Sequence, residues 1–190
     1  MSKLAVTALS LAILLAVAIA PGPGGKALAG DEAIRIALTG ELGQEITARV
    51  AGEALRQAEY EIDFIEVAPD QVFAQLAAGE VHLQPEVWTE TAGAAYQAAL
   101  EAKGIARLGA LGIEPRSVLK VSWRNAAIKW SGAIKMMRTL SLSDAQRDAM
   151  IAAVEQRGLT PEAAVAEWMA ANPKVWQRWM TSNRNWMTPN

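Results

Sequence analysis

Residues Leu76–Trp88 read LAAGEVHLQPEVW, and two kinds of structure meet inside them. Leu76-Ala77-Ala78 ends a helix that Pro69 and Asp70 open, and Gly79 supplies its C-cap. Val81–Leu83 then reads as a short strand, and Pro85-Glu86-Val87-Trp88 leaves its end. A helix handing over to a strand within a few residues marks an alternating α/β chain.

The same alternation runs upstream and downstream. Ile34–Thr39 (IRIALT) reads as a strand, and Thr39-Gly40-Glu41-Leu42-Gly43 as a loop whose two glycines allow unusual backbone angles. Glu45–Gln57 carries Ile46, Val50, Ala54 and Leu55 at helical spacing. Tyr60–Val67 (YEIDFIEV) alternates apolar and acidic residues, the period of a strand. Thr91–Lys103 is helical, with Gly104 as its stop. The order β-α-β-α-β-α predicts a parallel-type sheet with right-handed crossovers, flanked by helices in three layers. Ligands of such sheets bind outside the carboxyl ends of the strands. Thr39–Gly43 and Gln84–Glu90 fall there.

The second half is mostly helical. Ile105–Val121 is less regular, with Ser117–Ser122 a candidate strand, and Asn125–Leu140 reads as a helix. Ser143 with Gln146 resembles an N-cap, for a helix that reaches Arg157 and stops at Gly158. Thr160-Pro161 starts the next helix, which ends near Asn172-Pro173. Lys174–Met180 forms a last short one.

Composition narrows the function classes. Of 190 residues, 52% are hydrophobic and 20% charged, which fits one globular domain. The N-terminus reads as a secretory signal peptide over residues 1–29: Lys3, a nearly continuous apolar run Leu4–Ala20, a Pro/Gly stop, and Ala27-Leu28-Ala29 as an A-x-A cleavage site. Its removal leaves 16 basic side chains against 20 acidic ones. No clustered basic face argues for nucleic acid. The chain has no cysteine, which excludes disulfides, thiol catalysis and a lipidated N-terminal cysteine. Its single histidine, His82, has no nucleophile near it in sequence. No glycine-rich phosphate loop or metal-ligand spacing is present, so nothing calls for an enzyme, a cofactor or a metal.

Leu76–Trp88 and Leu142–Met180 (LSDAQRDAMIAAVEQRGLTPEAAVAEWMAANPKVWQRWM) together resemble the glycine betaine/choline/proline betaine type of periplasmic solute-binding protein, the receptor of osmoprotectant ABC importers. The resemblance runs from about Ile34 to Gly109 and again from about Ala133 to Met180. It implies a type II periplasmic binding protein, a two-lobed hinged clamp that holds its ligand between lobes and presents the closed form to an inner-membrane permease. In that family the two stretches begin and end one lobe, and the second lobe is inserted between them. A lobe needs on the order of 100 residues, and only Ala110–Gly132 is available. The expectation is therefore a single α/β lobe over residues 30–190, with C-terminal helices packing back and the second lobe missing near 110–132.

Trp88 is the first candidate for ligand contact. Quaternary ammonium groups donate no hydrogen bonds and are held by aromatic faces, and the family's aromatic at this point belongs to such a cage. The bland alternative is a Trp packed under the next helix. Glu86 either attracts the cation, supports the loop or is a solvated acid. Glu41 and Gln44, in the loop where the family usually has a further aromatic, are the remaining ligand candidates. His82, where the family tends to carry an acid, reads as a half-buried strand residue. Trp168 and Trp179 read as core. Trp123 and Trp130, seven apart, share a face if their helix begins early enough, and either cover surface exposed by the lost lobe or form an interface.

Two functions follow. One is the periplasmic binding component of a betaine/choline-type import system, one-lobed and weak, with a quaternary amine as ligand. The other is an interaction module without a small ligand, which docks on a permease or self-associates, for example as a homodimer pairing two half-clefts.

Overall fold

The structure is a computed structural model and describes residues 32–114 and 117–181. The expected signal peptide lies outside the described residues.

Five strands form one sheet in the order β2-β1-β3-β5-β4. Strands β1 (Ile34–Leu38), β2 (Ile62–Glu66) and β3 (Leu83–Trp88) alternate with helices α1 (Leu42–Arg56) and α2 (Val72–Ala78), and β1 pairs in parallel with both neighbours. Helix α3 (Gly93–Glu101) leads to β4 (Ile105–Ala110). The sheet is mixed, because β5 (Val118–Trp123) turns back between β3 and β4 and is antiparallel to both. The expected all-parallel pattern therefore holds for β1–β3, and only the seven residues 111–117 connect β4 to β5. A short connection forces antiparallel pairing, since a parallel one needs a dozen or more residues.

Helices cover both faces, giving three layers. On one face α2 and α3 pack over Ala37, Val81, Val87, Ile105 and Val121. On the other, α1 packs with α5 (Ser131–Thr139), α6 (Asp144–Arg157) and α7 (Pro161–Ala171), and α8 (Pro173–Thr181) closes onto α5 and α7. The C-terminal helices thus pack back on the lobe, with Trp168 and Trp179 in the core. Their ends follow local chemistry. Ser143 and Gln146 form a reciprocal capping box on α6, Gly158 closes that helix at φ 68°, and Thr160 caps α7 ahead of Pro161.

Two segments differ from their sequence reading. Strand β3 does not end at Leu83 but continues through Pro85 to Trp88, with an irregular register between Gln84 and Val87. Proline gives no ladder N–H, and a bulge is where a strand tolerates it. The stretch Asn125–Leu140 is not one helix: α4 (Ala126–Lys129) ends at Trp130, whose backbone (φ −131°, ψ 62°) is non-helical, before α5 begins.

Trp123 therefore closes a strand while Trp130 breaks a helix, and they share no helical face. Both contact His82 instead, with ring centroids 5.7 and 4.5 Å away. His82 is buried rather than half-buried, 1% exposed. Burial, then the Arg35 charge, pushes its pKa down to about 4. This cluster lies at the start of β3, opposite the end where Trp88 pairs with Val118. Gly79, in the left-handed region at φ 75°, also lets Trp123 approach, since a Cβ there would sit 2.9 Å from the indole.

Candidate functional site

Strand β3 positions the site. Gln84, Glu86 and Trp88 are linked along it, by bonds from Gln84 Nε2 to the Glu86 backbone carbonyl (3.1 Å) and from Trp88 Nε1 to Glu86 Oε1 (2.8 Å). Beside them at the carboxyl end of the sheet lies a cleft of about 480 Å³. The loop after β1 and the start of α1 contribute Thr39, Glu41 and Gln44, and α2 contributes Val72 and Phe73. All four candidates, Trp88, Glu86, Glu41 and Gln44, line this one cleft.

Glu86 is 1% exposed and its carboxylate is fully engaged. Thr47 Oγ1 donates to Oε2 at 2.6 Å, and Trp88 Nε1 to Oε1. Arg147, from α6, forks onto both oxygens, Nη2 to Oε1 at 2.8 Å and Nε to Oε2 at 3.1 Å. A buried carboxylate needs such partners, because an unpaired one is severely penalised. Glu86 thus holds the Trp88 indole edge, while the Trp88 ring stays partly exposed.

Gln44 organises the opposite wall. Its Oε1 accepts from Thr39 Oγ1 (2.6 Å) and Gln84 Nε2 (3.0 Å), and its Nε2 donates to Glu41 Oε2 (2.5 Å). Glu41 is exposed at the rim, 4.0 Å from Arg147 Nη2. One carboxylate faces solvent at the mouth and the other is neutralised below. The cleft therefore offers a partly exposed aromatic ring, Trp88, and across from it an exposed carboxylate, Glu41, a pairing that can attract a cation with apolar surface.

Arg147, Thr47, Gln84 and Phe73 escaped the sequence reading. Reading Leu83–Trp88 as a strand would have placed Gln84 with Glu86 and Trp88 by period two. Arg147 has no local signal, since it is 61 residues from Glu86. Its clue lies in Gly43, where a Cβ would stand 1.7 Å from Arg147 Nη2.

A second cleft, about 290 Å³, flanks α1, with Arg49, Phe64, Met169 and Trp176 among its lining. Arg49 pairs there with Glu45 and Glu162 and rests on the Phe64 ring, so its charge is already answered.

Comparisons with known proteins agree with this architecture. Residues 32–117 and 110–171 match the family model for the substrate binding domain of the ABC-type glycine betaine transport system. The two segments overlap on the β4–β5 return. No relative is found among curated proteins. Among solved structures, an ABC-transporter choline binding protein in complex with choline superposes with a TM-score of 0.73 at 12% identity, covering 79% of this chain and 92% of that one. Lactococcal OpuAC, closed and complexed with glycine betaine, gives 0.67 at 10% identity, covering 79% and 100%. A glycine betaine/L-proline-binding protein (ProX) from Borrelia burgdorferi gives 0.69 at 10% identity, covering 78% and 96%. At these identities the likeness is one of fold. The family match, which spans most of the chain, decides membership: this chain belongs to the family of substrate-binding domains of ABC-type glycine betaine transport systems.

Proposed function

We propose that the chain is a one-lobed periplasmic receptor for a quaternary amine of the glycine betaine/choline type, and that it binds this ligand weakly in the cleft beside Trp88. Proteins of this family serve transport and are not an enzyme class; they work outside the cytoplasm with an ABC permease. Among the described residues no helix is long and apolar enough to cross a membrane. Export by a cleaved signal peptide over residues 1–29 is part of the proposal.

The observation that carries the reading is the placement of Trp88. It is a partly exposed ring at the carboxyl end of the sheet, fixed by its indole N–H, with the Glu41 carboxylate across the cleft. A methylated ammonium ion gains from both. The one-lobed part rests on the short return Leu111–Ser117 and on the overlap of the two family segments there. Weakness follows because small-ligand sites normally bury most of the ligand, and an open cleft on a single lobe does not. In this reading Trp88 and Glu41 touch the ligand, Gln44 orders the rim and Glu86 supports Trp88. Calorimetry with choline tests it. Trp88→Ala should abolish the heat of binding while the far-UV circular dichroism stays unchanged; an unaltered affinity would refute the cage.

A further inference from the structure

We propose that Arg147 is a positioning residue for the cleft: acting through Glu86, it fixes the orientation of the Trp88 ring and so sets affinity for a quaternary ammonium ion it never touches. The inference rests on the reading of Trp88 as the ligand-facing aromatic.

Arg147 is not among the residues that line the cleft. Its guanidinium reaches across the first turn of α1, where Gly43 leaves room, and is 13% exposed. There its two bonds hold both oxygens of Glu86 in one plane. The oxygen that takes the shorter of these, Oε1, is also the acceptor for Trp88 Nε1. A planar fork fixes a carboxylate's rotation as well as its charge, which a point charge does not. The indole N–H then follows the carboxylate, and the ring face follows the N–H. Arg147 belongs to α6, in the chain segment after the β4–β5 return, so the C-terminal helices reach the ligand-facing end of β3 through it.

The rival role is charge compensation alone, and two variants separate the two. Arg147→Lys keeps the positive charge and loses the fork. The double change Glu86→Gln with Arg147→Met removes both charges together, so no buried charge is orphaned. Two readouts apply to each folded variant: calorimetric affinity for choline and for tetramethylammonium, and the indole N–H cross-peak of Trp88 in a ligand-free ¹⁵N spectrum, assigned by its loss in Trp88→Phe. We expect both variants to weaken choline about five- to tenfold, the scale of a compromised cation–π contact, and to shift or broaden the Trp88 cross-peak. Wild-type affinity with an unmoved cross-peak in Arg147→Lys would overturn the inference and leave charge compensation. If the wild-type protein binds neither cation, the receptor reading fails, and the ligand-free cross-peak alone decides whether Arg147 orders Trp88.

Discussion

Replacing Gly43 by alanine sets two effects of opposite sign against each other. Gly43 lies in the first turn of α1, and alanine in a helix is favoured over glycine by up to about 1 kcal/mol. The new Cβ, however, would stand 1.7 Å from Arg147 Nη2 and 2.4 Å from its Cζ. A guanidinium loose on the surface would swing aside at little cost. This one is forked onto Glu86, whose side chain is 0% exposed, and displacing it strands a buried carboxylate. Breaking a buried pair costs about 3–5 kcal/mol, and the lower end applies because Arg147 retains some solvent contact. The net effect is a loss of about 2 kcal/mol, or a Tm about 4–8 °C lower for a domain of this size. Urea and thermal denaturation followed by circular dichroism measure it. The control is the same change in an Arg147→Met background, where the obstacle is gone and Gly43→Ala should be neutral or stabilising by up to about 1 kcal/mol. Stabilisation in the wild-type background, or equal destabilisation in both, would mean that Arg147 does not obstruct a side chain at Gly43.

Three further outcomes follow from other groups. His82 has its pKa lowered from 6.5 to about 4 by burial and by the Arg35 charge. The unfolded chain therefore protonates first, so the contribution is complete above about pH 6.5 and is lost as pH falls towards 4, about 3 kcal/mol in all. Urea midpoints at pH 7.5 and 4.5 should diverge less in His82→Gln than in the wild type. Lys120, 1% exposed, has its pKa lowered from 10.5 to about 8 by burial, and its ammonium donates to the carbonyls of Leu140 and Arg138. Between those two pH values the unfolded chain holds more protons, so stability rises with pH, and Lys120→Met should flatten that rise in denaturation curves. Ser143→Ala removes the α6 capping box and should cost about 1 kcal/mol by the same assay.

Much of the fold was legible because local chemistry dictated it. The glycine and N-cap signals at Gly79, Ser143, Gly158 and Thr160 act within a few residues, and each ends or starts a helix as read. The alternation in Tyr60–Val67 and the apolar run after Ile34 likewise became β2 and β1. What escaped depends on distant partners. Pro85-Glu86-Val87-Trp88 reads as leaving the strand end, but β5 supplies the pairing that carries β3 on to Trp88. The β4–β5 return decided the strand directions, and no periodicity in Ile105–Val121 announced it. Trp130 breaks its helix and packs its ring against His82, a long-range contact that helical spacing does not reveal. The site divides in the same way. Trp88, Glu86, Glu41 and Gln44 line one cleft because the last residues of β3 and the junction of β1 with α1 meet at the carboxyl end of the sheet, a placement that the β-α-β order reveals. The role of Glu86 hangs on Arg147, which only the packing of α6 against α1 brings there.

The receptor reading is tested most directly by a calorimetric titration of residues 30–190, the form that the proposed signal-peptide cleavage would leave, with choline, glycine betaine and proline betaine in turn. Saturable heat is expected for at least one of them with weak affinity, a Kd on the order of 0.1–1 mM, as suits a ligand held by one lobe and open to solvent on its other side. No heat up to about 10 mM, from protein shown to be folded by circular dichroism, would contradict it and leave the lobe as a module that serves a partner chain.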